Sequence, residues 1–141
     1  MSGEDYRFKP IGFARTPTED VPRHWSISDV EGDLVIDEAY TEGLSHVVPG
    51  QKIVVIFVFH RSPRFTPDRL RQIPATRREG RGVFSICSPI RPNPLGLSVL
   101  EVLAVEGGVI RVRGMDMLDG TPILDLKPYV TGTSDCPSGG R

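Results

Sequence analysis

Hydrophobic residues in this chain come in short runs that turn-forming residues separate, a pattern typical of β-proteins. Residues 52–60 form a nearly continuous apolar, β-branched run, which predicts a central strand buried on both faces. Two further β-rich runs, at 97–106 and 109–115, flank Gly107 and Gly108. A glycine pair between such runs predicts a tight hairpin with a type I′ turn, because both central residues of that turn need positive φ.

The rest of the pattern predicts shorter elements. Residues 6–14 and 33–37 are predicted to form two more strands. Residues 41–47 are predicted as a short helix, capped at its start by Thr41 and stopped by Pro49-Gly50.

The density of helix-breaking residues favours a mainly β fold. Thirteen prolines and fifteen glycines leave only short segments between turns, as in a sandwich or barrel. No GxGxxG follows a strand and strands do not alternate with helices, which argues against a doubly wound nucleotide-binding fold. We expect one domain at 1–130 and a flexible, glycine-rich tail at 131–141.

Composition excludes several classes of protein. The chain has 141 residues, 38% of them hydrophobic and 25% charged, as in a soluble single domain. Cys87 and Cys136 are too few for a disulfide framework, and His24, His46 and His60 have no metal-site spacing, so no metal is expected. The polar N-terminus lacks a signal core, and no apolar run is long enough to span a membrane. The expected compartment is the cytoplasm.

Charge is concentrated in one segment, although the net charge is only −1. Seven arginines lie between positions 61 and 81: Arg61, Arg64, Arg69, Arg71, Arg77, Arg78 and Arg81. Only Asp68 and Glu79 oppose them. Residues 62–81 are predicted as a long loop with one helical turn at 67–72. Such a loop either attracts nucleic-acid phosphates or is simply a solvated surface segment.

Three polar residues alternate near the end of the chain. Asp125, Lys127 and Tyr129 project from one face of an extended segment. Pro128 cannot donate to a ladder, which predicts an edge strand or a strand end. An acid, an amine and a phenol on one face can position a substrate and move a proton. The alternative is the ordinary polar face of an edge strand.

Other candidates lie in predicted loops. Arg91 and Asn93 sit among prolines, so their rigid loop is either a ligand clamp or a stiff surface connection. His60 lines a site or caps the end of its strand. His24 or Trp25 stacks on a base, or Trp25 closes the edge of the core.

Two long motifs resemble a known family. Residues 82–98 contain RPNPLGLS, and residues 119–129 read DGTPILDLKPY. Together with the Pro22-Arg23-His24 loop and the strand ending at His60, they resemble the TrmO family of tRNA methyltransferases. The resemblance covers roughly residues 8–130.

This resemblance implies a small, single-domain β-barrel with short helical segments, unlike the doubly wound methyltransferases. It also implies a homodimer that uses S-adenosylmethionine. The reaction implied is methyl transfer to N6 of threonylcarbamoyladenosine, next to the anticodon of tRNA. The rival functions are a non-catalytic, small-barrel nucleic-acid-binding protein and a methyltransferase acting on a non-tRNA acceptor.

Carried over motif by motif, the resemblance assigns three sets of residues. The cofactor-binding set is Pro22, Arg23, His24, His60, Arg61, Leu97, Met117, Leu118, Asp119 and Gly120. The catalytic set is Asp125, Lys127 and Tyr129. The substrate-binding set is Arg77, Arg78, Arg91 and Asn93, of which the last two can support either site.

The chain departs from the family pattern in two ways. Cys87 stands where the family has an arginine that helps to hold the cofactor, and a neighbour from the arginine-rich segment is the expected substitute. Some relatives also have a C-terminal domain that helps to grip tRNA, whereas this chain ends soon after the expected barrel.

The residues also suggest a mechanism. The adenine amino lone pair is delocalised into the ring, so the protein must align it and accept its proton. The hypothesis assigns Asp125 to the amino proton, Lys127 to a carboxylate or phosphate of the substrate, and Tyr129 to orienting the base or Asp125.

Overall fold

The computed structural model describes residues 3–132 and shows a closed barrel of six antiparallel strands in the order β1-β2-β7-β6-β3-β8, in which β8 also pairs with β1. The barrel strands are β1 (Gly12–Arg15), β2 (Glu31–Ile36), β3 (Lys52–Val58), β6 (Leu95–Glu106), β7 (Val109–Arg113) and β8 (Pro122–Pro128). A separate two-stranded sheet joins β4 (Arg71–Gln72) to β5 (Arg81–Gly82). The predicted β-barrel is confirmed.

The central strand β3 differs from the prediction in one respect. Its inward residues Ile53, Val55 and Phe57 are buried, whereas Val54 and Ile56 remain partly exposed. Only one face of a barrel strand reaches the interior, so an apolar run cannot be buried on both faces unless something covers the outside. The outer face of β3 is therefore apolar and uncovered within one chain.

The predicted hairpin forms, but with another turn. Glu106 pairs with Val109 across a two-residue connection. Gly107 has a φ of 59°, while Gly108 is not among the residues with positive φ. Type I′ is therefore wrong, and the positive φ at the first central position alone is the pattern of a type II′ turn. The close approach of Ile36 disfavours a side chain at position 108, because a Cβ there would lie 3.0 Å from the Ile36 carbonyl oxygen.

Every helix in the described residues is a short 3-10 turn. These turns are Trp25–Ile27, Glu38–Leu44, Pro67–Leu70 and Val83–Ser85. The helix predicted at 41–47 thus begins earlier, after Asp37, and Thr41 lies inside it and is not its cap. The turn predicted at 67–72 ends at Leu70, because Arg71 and Gln72 pair with β5.

Two predicted strands have other bounds. Residues 6–11 of the predicted strand 6–14 have no partner strand, and pairing begins at Gly12, opposite Ile36 and Ile123. The strand predicted at 33–37 begins earlier, at Glu31, where β7 provides a partner. Most of the predicted tail lies outside the described residues.

Because the strands are antiparallel, each connection lies at one of the two ends of the barrel. The connections at 16–30, 59–94 and 114–121 all lie at one end, which we call the upper rim. Residues 37–51, the hairpin turn and the end of β8 lie at the lower rim. Between the rims, fourteen buried side chains form one core that includes Leu34, Leu100 and Ile123.

Candidate functional site

The upper rim holds a cavity of about 180 Å³. Its wall is formed by the end of β3, the segment that follows it, one residue of the loop before β6 and the connection before β8. The lining residues are Phe57, Val58, Phe59, His60, Arg61, Ser62, Pro89, Asp116, Met117, Leu118 and Thr121. Four residues of the predicted cofactor set, His60, Arg61, Met117 and Leu118, therefore share one cavity.

The turn before β8 is fixed by hydrogen bonds to β1 and to the residue that follows it. The Thr16 hydroxyl donates to the Met117 carbonyl at 2.9 Å, and the Thr16 N–H donates to the Asp119 carboxylate at 2.9 Å. Gly120, with a φ of 82°, donates its N–H to the Ala14 carbonyl. This left-handed conformation favours glycine. Asp119 and Gly120 thus hold the turn that presents Met117 and Leu118.

The loop at 16–30 reaches the same place from the other side. Nδ1 of His24 accepts the Ser26 N–H at 3.2 Å and lies 2.7 Å from the Ser26 hydroxyl. The His24 and Trp25 rings lie 5.1 Å apart. Pro22 is half-buried and Arg23 is exposed. Trp25 packs against the core, in keeping with its structural alternative.

Sequence reasoning missed a pair of polar residues at the centre of this site. The Ser98 hydroxyl donates to Oδ1 of Asp116 at 2.6 Å. Ser98 is fully buried on the inner face of β6, and Asp116 lines the cavity. One signal was present, because Ser98 is a polar residue on the apolar inward face that includes Leu100 and Val102.

Burial raises the pKa of Asp116 above its usual value. The Ser98 hydroxyl, His24 and the backbone amides of Asp116 and Trp25 oppose this rise but do not cancel it. A carboxylate removed from water loses hydration, and hydrogen bonds restore only part of that free energy.

Leu97 does not share the cavity. It lies on the outer face of β6 opposite Ile56, and 53% of its surface is exposed. The inward neighbours of Leu97 are Gly96 and Ser98. Within one chain, the barrel wall separates this member of the predicted cofactor set from the others.

The predicted catalytic residues lie farther down the barrel. Asp125 and Lys127 pair with Ile56 and Val54 and share their outer face. Nζ of Lys127 lies 3.2 Å from Oδ2 of Asp125. Between Ile123, at the level of Phe57, and Lys127, the strand rises by about 13 Å. These residues and the upper-rim cavity do not form one site in a single chain.

Tyr129 follows the end of β8 at the lower rim. Nζ of Lys52 lies 5.8 Å from the centre of its ring. Lys127 and Tyr129 border a groove of about 570 Å³ beside the turn that ends at Leu44. Pro128 ends the strand, which confirms the predicted strand end.

Arg91 supports the loop around Cys87. One guanidinium nitrogen donates to the carbonyls of Ile86 and Ser88, both at 3.1 Å. Cys87 between them is exposed and unpaired, and Asn93 is exposed. This geometry agrees with a stiff, satisfied loop, while a role of Arg91 and Asn93 in substrate binding stays a prediction.

The arginine-rich segment presents its charges to solvent. Arg77 and Arg78 are exposed, as are most of the other arginines of the segment. None of the six ion pairs within residues 3–132 involves this segment. Arg71 donates to the Gly80 carbonyl at 3.2 Å. The hydroxyl of Thr66 engages Asp68 and lowers the pKa of its carboxyl, a shift that slight desolvation opposes.

Two features are absent from the described part of the chain. No three His, Cys, Asp or Glu side chains within 3–132 come together as metal ligands. Across the same residues, no helix is long and apolar enough to cross a membrane.

Comparisons with known proteins agree on one family. Residues 14–136 match the family profile described as the tRNA-methyltransferase O N-terminal domain. An Archaeoglobus fulgidus protein named S-adenosyl-L-methionine-binding protein is 40% identical over 124 residues, which cover 86% of this chain and 87% of that protein. A human protein named tRNA (adenine(37)-N6)-methyltransferase is 43% identical over 76 residues, which cover 54% of this chain and 17% of that protein.

The fold is similar to that of a crystal structure of TrmO from Pseudomonas aeruginosa. The TM-score is 0.74 and the sequence identity 28%, and the match covers 98% of this chain and 61% of that one. This chain therefore spans about three-fifths of the length of the TrmO protein that it matches.

Proposed function

The chain belongs to the tRNA-methyltransferase O family, and we propose that it is an S-adenosylmethionine-dependent methyltransferase acting on tRNA. The acceptor is N6 of threonylcarbamoyladenosine next to the anticodon, and the cytoplasm is the expected compartment. The observation that carries the proposal is a cavity at the upper rim that the 59–94 and 114–121 connections line, with the 16–30 connection bonded to the second of them through Thr16. Residues of the predicted cofactor set come from all three connections.

The cavity has the chemistry that this cofactor requires. Phe57 and Phe59 supply apolar walls, Arg61 supplies a guanidinium and Asp116 a carboxylate. S-adenosylmethionine carries an ammonium, a carboxylate and a sulfonium beside apolar groups, so its site needs both signs of charge next to apolar surface. When bound, S-adenosylmethionine supplies an electrophilic methyl group. Arg61, which lines this cavity, is proposed to supply the positive charge that Cys87 lacks.

The residues proposed to bind and deprotonate the methyl acceptor lie on the outer face of β8 and just after its end. Asp125 accepts the proton of the adenine amino group, Lys127 binds a carboxylate or phosphate of the substrate, and Tyr129 orients the base. The contact between Lys127 and Asp125 supports this assignment, because the ammonium lies within reach to orient the carboxylate.

A homodimer accounts for the distance between the predicted catalytic residues and the predicted cofactor-binding residues. The outer faces of β3 and β6 carry Val54, Ile56, Leu97 and Val99 in neighbouring positions, all at least partly exposed. An uncovered apolar patch of this kind marks an interaction surface. Asp125 and Lys127 lie on the same face, so a second copy packed there brings one chain's catalytic residues towards the other's cofactor.

Two assays test the activity. Isothermal titration calorimetry with S-adenosylmethionine is expected to give one site per chain. Methyl transfer is then measured on tRNA with and without the threonylcarbamoyl group. Absence of cofactor binding would overturn the proposal in favour of a non-catalytic nucleic-acid binder. If the cofactor binds but methyl transfer occurs only to another acceptor, that acceptor replaces tRNA as the proposed substrate.

Mixing two inactive variants tests the shared site. Asp125→Asn removes the proposed proton acceptor and His60→Ala alters the cofactor cavity. After random exchange of subunits, half of the dimers contain one chain of each variant. If each site uses residues from both chains, every such dimer has one intact site and one inactive site. About a quarter of the wild-type rate should therefore return. No recovery from a mixture that light scattering shows to be dimeric contradicts the arrangement, as does a monomer.

A further inference from the structure

Asp116 lies at the upper rim and is held by a residue of the barrel wall. Its carboxylate accepts the Ser98 hydroxyl at 2.6 Å. Ser98 is fully buried on the inner face of β6. The carboxylate is thus fixed in position beside the cavity that it lines.

No cation in the described residues neutralises this carboxylate. None of the six ion pairs within 3–132 includes Asp116. Nδ1 of His24, the basic side chain on the neighbouring loop, lies against Ser26. The half-buried carboxylate of Asp116 therefore has no ion-pair partner among the described residues.

The cavity wall next to the carboxylate is aromatic. Phe57 and Phe59 both line the cavity, and their ring centres lie 5.0 Å apart in an edge-to-face arrangement. Aromatic faces attract cations, most of all cations that carry carbon substituents and little water. A carboxylate beside aromatic rings therefore favours a cationic ligand group.

The surroundings of Asp116 favour one kind of cation. The Ser98 hydroxyl occupies one acceptor position of the carboxylate, and the wall that shares the cavity with it includes the rings of Phe57 and Phe59. A primary ammonium has three N–H groups that need acceptors, and aromatic rings do not supply them. A sulfonium has no N–H to satisfy and requires only charge and apolar contact. The cavity of about 180 Å³ accommodates the part of a cofactor around such a centre.

We propose that Asp116, placed by Ser98, distinguishes the charged methyl donor from its neutral product by lying next to the sulfonium. This role rests on the proposed function. Transfer of the methyl group leaves the electrons of the broken C–S bond on sulfur, so the ligand loses one positive charge. Asp116 then attracts S-adenosylmethionine and does not hold S-adenosylhomocysteine, which favours product release.

Calorimetry on the purified full-length protein tests this with both ligands. Asp116→Asn keeps the size of the side chain and an oxygen for Ser98. We expect it to weaken binding of S-adenosylmethionine about tenfold and to change binding of S-adenosylhomocysteine by less than about twofold. Asp116→Glu, which keeps the charge, should retain the preference for the charged ligand. Asp37→Asn, at an exposed position on the lower rim, is the matched control.

The measurements distinguish failure of the role of Asp116 from failure of the proposed function. Equal weakening of both ligands, or no change in either, overturns the role of Asp116 while leaving the proposed function intact. If the wild-type protein binds neither ligand, the proposed function itself fails. If thermal melting shows that Asp116→Asn does not fold, the Ser98→Ala/Asp116→Asn double variant removes both partners of the buried contact, and the same change in preference is expected.

Discussion

Lys127 and Asp125 form an ion pair on the outer face of β8, with Nζ 3.2 Å from Oδ2 and both side chains more than half exposed. Exposed pairs of this kind add little to stability. The pair is thus better explained by a role in orienting the carboxylate than by a role in holding the barrel together.

Replacing Asp125 by Asn is therefore expected to impair chemistry and not folding. Loss of the proton acceptor should lower kcat about 100-fold or more, while the melting temperature and the affinity for S-adenosylmethionine stay near wild type. Single-turnover methylation of tRNA and calorimetry measure the two effects. Unchanged kcat with normal cofactor binding would show that Asp125 is not the acceptor.

Reversing the charges of Arg77 and Arg78 should weaken tRNA binding. Both side chains are exposed and outside every ion pair of the described residues, so they are available to phosphates. Losing two phosphate contacts lowers the slope of log K against log salt by about 1.5 to 2. The matched control reverses Arg7 and Lys9, which are also exposed. An equal slope in both variants would exclude this segment as the phosphate contact.

An arginine at position 87, which the resemblance to the family favours, should tighten cofactor binding. Cys87 is exposed and its loop is held by Arg91, so a longer side chain has room without disturbing a core. One additional charge-assisted hydrogen bond is expected to raise the affinity of Cys87→Arg for S-adenosylmethionine about fivefold. Cys87→Ser is the control in the same calorimetric titration. Equal affinities for the two variants would mean that Arg61 or another residue fully replaces the missing arginine.

Gly96 gives the Phe57 ring its place in the cavity wall. A Cβ at position 96 would lie 2.2 Å from Cζ of Phe57, so Gly96→Ala must displace a buried ring. Overpacking of this kind costs about 1–3 kcal/mol, measured by chemical denaturation, and cofactor affinity should fall with it. Gly43→Ala is the control, because nothing lies within 4 Å of a Cβ there. Equal stability of the two variants would contradict the close packing.

Asp33 is expected to make the stability of the barrel depend on acid pH. Burial opposes its charge, but Arg15 and Arg111 outweigh burial and hold the pKa of this carboxyl below its usual 3.8. Its stabilising contribution is therefore present above about pH 3.8 and is lost as the pH falls through the lower folded-state pKa. Asp33→Asn should cost about 1 kcal/mol at pH 7 and progressively less below pH 4. A cost independent of pH in urea titrations would contradict this account.

Local pattern was enough to predict several elements. The apolar run at 52–60, the glycine pair at 107–108 and the proline at 128 each act through near neighbours, and the strand, the hairpin and the strand end all formed. The motifs resembling TrmO likewise indicated the family through the order of their residues. These features depend on residue type and spacing alone.

The positions of the site residues depend on long-range pairing, which local pattern does not contain. Closure of the barrel brings the connections at 16–30, 59–94 and 114–121 to one rim and places Ser98 against Asp116, eighteen residues away. The register of β8 against β3 carries Asp125 and Lys127 away from that rim. The amino-acid sequence thus indicated many of the residues to consider but not Ser98 and Asp116. The folded barrel alone decided which residues meet, because strand pairing sets the distances between residues far apart in the chain.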